Sequence, residues 1–348
     1  MRITSSMMTN KYTRQLSSLE TTLNSSTSKV SSGNALSKFS DDTTASVRAY
    51  KIRSTMSKID SYQANISHAD TYLTDAESAL NNLEDIYQYA MQKIVQGQNV
   101  SQSADERAII ATELRSLQQE MLATLNTNVS GTYLFGGTTT DTEPFTLDAN
   151  GRLVYNGYTL SDLTDTTTDG SGNLAVDSLS QDSRYLNLGL NLQFDSSNEL
   201  IKSTAFSYTI QGINITGYGA SATDTVTIDG TSYAVPTNLY DLLGMIASSF
   251  ESDDYTYNTV DTLYEQFQTS SSGISENLTT VGAKQNYLSF MSDRYATQEL
   301  NLEEKQSEIE DVDLASAIIE YKTNEVAYNA ALQMSASVLQ NSIFDYMS

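Results

Sequence analysis

Cysteine is absent from these 348 residues, so disulfides, thiolate nucleophiles and cysteine-held metals are excluded together. The one histidine, His68, rules out a two-histidine zinc site, and there is no thiol for its imidazole to activate. It falls beside Ile66 and Ala69 at helical spacing, where a solvated helix position is expected. No apolar run approaches the roughly 18 residues that mark a membrane-spanning helix. Met1-Arg2-Ile3 leads into Thr4-Ser5-Ser6 and not into an apolar stretch, so no cleaved secretory signal peptide is expected. Breakers are scarce at both ends. Both prolines, Pro144 and Pro236, lie in the middle; only Gly33 and Gly97 precede residue 131, and no glycine follows Gly282. A tail of that length without a breaker suits extended helix and not a compact β fold.

Basic residues are also few, 19 against 43 acidic ones. Residues 1–136 carry 12 basic and 13 acidic side chains, 137–272 carry 3 and 18, and 273–348 carry 4 and 12, so the middle holds most of the net charge of -24. Such a surface repels nucleic acid and anionic membrane, and neither is expected as a partner. Chemistry, if any, would rest on carboxylates, tyrosine or serine. No glycine-rich phosphate loop opens a helix, and Asp148, Asn150 and Gly151 lack the spacing and distal glutamate of a calcium loop. The expectation is no enzyme activity, no cofactor and no metal.

What is present is helical periodicity. Ile59, Tyr62, Ile66, Ala69, Leu73, Ala76, Leu80, Leu83, Tyr87, Ala90 and Ile94 alternate three- and four-residue steps, a coiled-coil-like seam that Gly97 closes. A third helix opens near Ser103 and uses Ile110, Leu114, Leu117, Met121 and Leu125; its short connection makes it the antiparallel neighbour of the second. Near the other end Val281, Leu288, Tyr295, Leu302 and Ile309 recur every seven residues, Asp311-Val312-Asp313 interrupts, and Asp313 is placed to cap a final helix.

Between these ends the pattern turns β. Thr146 to Tyr158 and Thr225 to Val235 read as hairpins around Asn150-Gly151 and Asp229-Gly230, followed by a short amphipathic helix with Leu239, Leu242, Leu243, Ile246 and Phe250. The fold class is therefore multidomain α plus β: a long-helix bundle made from both termini, with an inserted β-rich domain. Its expected parts are terminal assembly helices at 1–40 plus 312–348, a helical bundle at 41–135 plus 273–311, and an acidic β-rich outer domain at 136–272.

The outermost helices differ in kind. Thr4 to Thr44 holds 19 serines and threonines, which compete for helical hydrogen bonds and leave a helix marginal until a partner orders it. Leu16, Leu19, Leu23, Val30, Ile318, Tyr328, Leu332, Leu339 and Ile343 are accordingly the expected assembly interface, completed by neighbouring subunits.

Gly131-Thr132-Tyr133-Leu134-Phe135-Gly136-Gly137-Thr138, followed by Pro144-Phe145, stands where the third helix stops and the acidic insert begins. Together with Met1-Arg2-Ile3-Thr4, with Ser31-Ser32-Gly33 leading to Ser40-Asp41-Asp42, and with Leu339 to Tyr346, it resembles the flagellar hook-associated protein 3 family of the flagellin superfamily. The likeness covers residues 1–145 and 273–348 and is weaker in the insert. Tyr133, Leu134, Phe135, Gly136 and Gly137 are the signature that carries it. The resemblance implies a structural protein joining the hook, through hook-associated protein 1, to the flagellin filament. Implied partners are a ring of its own copies, hook-associated protein 1, flagellin and a cytoplasmic flagellar export chaperone. The implied location is extracellular, at the hook-filament junction, reached unfolded through type III export without a cleaved signal peptide. Flagellin shares the helical ends, so a filament subunit is the nearest alternative. An extracellular carboxylate hydrolase is the distant one, and it needs two carboxylates facing each other in a cleft.

Overall fold

A computed structural model describes residues 5–36, 38–99 and 101–344, with residues 5, 6, 222, 223 and 335–344 described by their backbone alone. Three helices come first: α1 Ser5–Ser32, α2 Thr43–Gly97 and α3 Ala104–Leu125. Short strands follow, β1 Asn128–Val129, β2 Thr132–Tyr133, β3 Phe145–Leu147, β4 Leu153–Tyr155 and β5 Tyr158–Thr159. The chain continues through α4 Ala175–Ser180, β6 Tyr185–Leu186, β7 Phe206–Ser207, α5 Gly212–Thr216, β8 Ala220–Ile228 and β9 Thr231–Pro236. It then returns to helix in α6 Leu239–Glu251, α7 Tyr257–Ser270, α8 Ser272–Glu310 and α9 Leu314–Phe344. Two compact units result, Met1–Ser61 with Arg294–Ser348, and Tyr62–Asp293. The boundary falls inside α2 and α8, so both helices contribute to both units.

The central unit, Tyr62–Asp293, holds nearly all of the core. From α2 come Ile66, Ala69, Leu73, Ala76, Leu80, Leu83, Tyr87, Ala90 and Ile94, every one buried, and from α8 come Ile274, Val281, Leu288 and Met291. Each large aliphatic residue in that stripe contributes about 1.5–3 kcal/mol relative to exposure, which is why a low-propensity helix with many asparagines and serines stays formed there. Ser103 starts α3 with a reciprocal cap: its hydroxyl accepts from Glu106 N at 3.3 Å while Ser103 N donates to the Glu106 carboxylate at 2.7 Å. Those hydrogen bonds hold the Glu106 carboxyl below its ordinary range. Lys93 on α2 meets Glu113 on α3 at 2.6 Å.

The middle segment is less β-rich than its composition predicts. Among the described residues of 136–272, three separate antiparallel sheets contain two or three strands each, while α6 and α7 add two well-packed helices. The reason is visible in α7: Val260, Leu263 and Phe267 are buried at three- and four-residue steps, a stripe obscured in the sequence by aspartate, threonine, tyrosine, glutamate and glutamine between them. Arg115 of α3 grips Glu251 of α6 with two nitrogens at 2.6 and 3.0 Å, and the Gln118 side chain donates to Tyr240 O at 2.9 Å. In the hairpin around Asp229-Gly230, Val226, Ile228 and Val235 are buried, but Tyr233, paired across from Val226, is 47% exposed at the rim of a two-stranded ribbon.

One turn occurs three times. Asp148 Oδ1 accepts from Asn150 N and Arg152 N, Asp169 Oδ1 from Ser171 N and Asn173 N, and Asp195 Oδ1 from Ser197 N and Glu199 N, all at 2.8–2.9 Å. The fourth residue, Gly151, Gly172 or Asn198, takes positive φ, and a leucine follows at the sixth place in each. The aspartates are thus engaged by their own backbones, as turn residues are.

Candidate assembly surface

The terminal unit is an antiparallel helix pair with flanking segments. Tyr12 of α1 donates to Ala331 O on α9 at 2.5 Å, Asn324 donates to Ser26 Oγ at 2.6 Å, and Lys29 reaches Glu320 at 3.6 Å, which fixes direction and register. Tyr12, Leu16, Leu19, Leu23, Ser26 and Val30 step by four and three along α1. Ser26 is buried and the other five half-buried. The facing row on α9 is Ala317, Tyr321, Asn324, Tyr328 and Ala331, with Ala317 buried and the rest half-buried. Small residues let the helices approach closely, and the Ser26–Asn324 layer sets their register in the way a single polar pair does in a coiled coil.

Two turns hold this pair to the rest of its unit. Ala35 N donates to Glu310 O at 2.7 Å and Val312 N to Gly33 O at 2.9 Å, so the breaks after α1 and after α8 are bonded to each other. Glu310 accepts from Arg53 at 2.6 Å and from Gln306 at 2.8 Å. Burial alone would push the Glu310 carboxyl up, but the bonds from Arg53 and Gln306 and the guanidinium charge outweigh it and hold it below its ordinary range. Asp313 caps α9, accepting from Ala315 N at 3.0 Å and from Ser316 Oγ at 2.7 Å, and these bonds keep its carboxyl low as well.

This unit has very little core. Among the described residues, only Ala49, Ile59, Tyr295 and Ala317 are buried apolar side chains in it, while Met7, Met8, Phe39, Val47, Tyr50, Leu300, Leu314, Ile318, Ile319, Val326, Leu332 and Met334 are large apolar side chains left exposed. Helix α9 is the extreme case. It carries three charged residues, Glu320, Lys322 and Glu325, in 31, and its apolar residues point in every direction around the axis: Ile319 is 68% exposed and Val326 67%, opposite the row that faces α1. A helix apolar all round belongs in an interior, and this chain by itself supplies only one side of that interior. In α1 the hydroxyls of Thr13, Thr21, Thr22, Ser26, Thr27 and Ser32 bond back to the carbonyl four residues earlier, a pattern that weakens a helix standing alone.

The residues expected at the interface therefore fall in two sets. Leu16, Leu19, Leu23, Val30 and Tyr328 lie half-buried in the α1–α9 seam, whereas Ile318 is 46% and Leu332 42% exposed. The side chains of Leu339 and Ile343 lie outside the described residues. Apolar spacing had no means of finding Ser26, Ala317, Asn324 and Ala331, because small and polar residues leave no hydrophobic signal.

The signature segment is placed elsewhere, in the central unit, and is interior. Leu134 and Phe135 are 2% and 0% exposed, Gly136 and Gly137 are buried and Tyr133 half-buried. Tyr72 of α2 donates to Leu134 O; Tyr155 Oη and Gly212 N both donate to Phe135 O at 2.9 Å. A side chain at Gly136 would stand 2.1 Å from Thr139 O, and Gly137 has φ +68° with the Asp182 carboxylate 2.6 Å from where its Cβ would be. The segment is a packing knot where helix, sheet and the α4–β6 turn meet, which explains its composition without a ligand. His68 is exposed, with its ring set edge-on to that of Tyr208 at a centroid separation of 5.8 Å. Two clefts are lined by Glu310 and by Glu143 as their respective single carboxylates, so neither presents the facing pair that a glycoside-type hydrolase needs.

Residues 3–140 match the bacterial flagellin N-terminal helical region and residues 264–347 the bacterial flagellin C-terminal helical region. Flagellar hook-associated protein 3 of Escherichia coli (strain K12) is 28% identical over 155 residues, 44% of this chain and 49% of that protein. The chain thus spans about half the length of that relative. A flagellin of Clostridium tyrobutyricum is 22% identical over 98% of this chain and 99% of that one. The solved structure of a candidate flagellar hook-associated protein from Vibrio parahaemolyticus superposes with a TM-score of 0.58 at 19% identity, covering 78% of this chain and 100% of that one, a likeness of fold.

Proposed function

We propose that this chain, which belongs to the flagellin superfamily, is a structural subunit of the bacterial flagellum that joins the hook to the flagellin filament. The observation that carries this reading is α9, apolar on all sides and covered on one side only. The work is mechanical: segments 1–40 and 312–348 act as assembly helices, 41–135 with 273–311 as the bundle behind them, and 136–272 as the acidic outer part. Leu16, Leu19, Leu23, Val30 and Tyr328 set the α1–α9 seam, and Ile318, Leu332, Leu339 and Ile343 meet neighbouring subunits. In this role the chain forms a ring with its own copies, with hook-associated protein 1 on one side and flagellin on the other. It is exported through the flagellar type III route in the keeping of a cytoplasmic chaperone and works outside the cell, and no catalysis is assigned to it. The two turns at Gly33 and Asp311 support this, since they hold the helix pair to the rest of its own unit while leaving its apolar face open.

A flagellin subunit is the second reading, favoured by the end-to-end alignment with the clostridial flagellin. A tagged chain in cells separates them. The junction role predicts one focus at the distal end of each hook, and shedding of flagellin into the medium on deletion; label along the whole filament would replace it with the second reading.

A further inference from the structure

Charge is segregated within the terminal unit. The start of α2 carries Arg48, Lys51, Arg53 and Lys58 against one acid, Asp60, and the end of α8 with its following turn carries Glu299, Glu303, Glu304, Glu308, Glu310, Asp311 and Asp313 against Arg294 and Lys305. Arg53 and Glu310 pair with each other at 2.6 Å. The remaining strips stay apart: Arg48, Lys51 and Lys58 are exposed, as are Glu303, Glu304 and Glu308, and none of the six joins an ion pair among the described residues. Each strip also starts from an exposed apolar residue. Val47, 42% exposed, precedes Lys51 by one helical turn, and Leu300, 66% exposed, precedes Glu304 and Glu308 by one and two turns. Like charges at four-residue spacing, as in Glu304 and Glu308, weaken a helix, so the arrangement is not explained by the stability of α8.

We propose that these strips are the two halves of a head-to-tail contact between copies of this chain, with Val47, Arg48, Lys51 and Lys58 of one copy seated on Leu300, Glu303, Glu304 and Glu308 of the next. The partner is a second copy because both complementary surfaces are present on one chain whose overall charge is -24, and an unrelated acidic protein would engage only the basic half. A heterologous contact of this kind closes into a ring or propagates as a helix, which pairwise two-fold contacts do not. The inference rests on the assembly reading above and adds how neighbours are selected.

Sedimentation of the purified full-length chain over rising concentration tests it. At about 20 mM salt the chain self-associates, and at about 0.5 M salt it dissociates, because exposed charges are screened over a few ångströms there. The triple variant Arg48→Glu, Lys51→Glu, Lys58→Glu and the triple variant Glu303→Lys, Glu304→Lys, Glu308→Lys each associate roughly tenfold or more weakly alone. The two mixed together recover association, as does one chain carrying all six changes, which also controls for misfolding. A wild-type chain that stays monomeric at millimolar concentration, triple variants that associate like wild type, or a folded six-fold variant that stays dissociated would each overturn the proposal. None of these outcomes bears on where the tagged protein sits in cells, so the junction reading stands or falls separately.

Discussion

Leucine-to-aspartate substitution separates the two kinds of apolar stripe. Leu288 on α8 is 1% exposed, and Leu332 on α9 is 42% exposed. Removing a buried leucine side chain costs about 2–5 kcal/mol, and leaving an unpaired carboxyl in its place adds a further ~2 kcal/mol or more, even when the group takes up a proton. The sum for Leu288→Asp reaches about 5 kcal/mol or more, comparable with the whole stability of an ordinary domain. For Leu332→Asp, only part of the side chain leaves an apolar contact, so the loss is about 1 kcal/mol including the lower helix propensity of aspartate. Thermal unfolding of dilute monomer followed by circular dichroism reads both: a drop of more than ~10 °C for Leu288→Asp and at most ~4 °C for Leu332→Asp, by the usual scaling for a unit of this size. Incorporation into flagella of a deletion strain reads the second effect, and Leu332→Asp is expected to abolish it. Equal loss of thermal stability in both variants, or normal assembly of a folded Leu332→Asp chain, would show that the two stripes do not differ in this way.

The marginal ends predict that limited proteolysis of dilute monomer trims residues 1 to about 40 and the last 35 or so while sparing the central unit; resistance of the full-length chain counts against it. Lys284 on α8 is mostly buried with one bond, to Thr209 O at 3.2 Å, and desolvation lowers its amine to about 8. The unfolded chain then binds the extra proton between about pH 8 and 10.5, so wild-type stability rises with pH in that window relative to Lys284→Met, which is more stable by about 1–3 kcal/mol at pH 7; parallel stability curves across the window contradict this. Tyr155→Phe removes the donor to Phe135 O and leaves a buried carbonyl with one fewer partner, an expected loss of about 1–3 kcal/mol in chemical denaturation, and a loss under about 0.3 kcal/mol would show that the signature knot does not depend on it.

Much of this architecture is legible in the sequence because its helices are written in large apolar residues at regular spacing. The α2 stripe from Ile66 to Ile94 and the Leu239 to Phe250 helix are examples, as are the stops at Gly33, Gly97 and Asp313. Helix α7 escaped because three buried residues in fourteen give a weak period. The α1–α9 register escaped for a different reason. It depends on Ser26 meeting Asn324 and on the small Ala317 and Ala331, and close approach is a property of the pair and not of either sequence pattern. The repeated aspartate turns were half visible: Asn150-Gly151 marks the first, but the third has asparagine where the others have glycine. In the signature, the sequence shows which residues stand together. That Leu134 and Phe135 serve through their carbonyls, held by Tyr72 and Tyr155, appears only when the chain is folded.

In the proposed role, neighbouring subunits complete the terminal helices. Amide hydrogen exchange of the full-length chain, measured free in dilute solution and again in isolated flagella, distinguishes this from a self-sufficient fold. Helices α1 and α9 are expected to exchange quickly in the free chain and to become protected by orders of magnitude on assembly, while α2 from Ile66 to Ile94 is protected in both. Protection of α9 in the free chain equal to that of the central unit would contradict it.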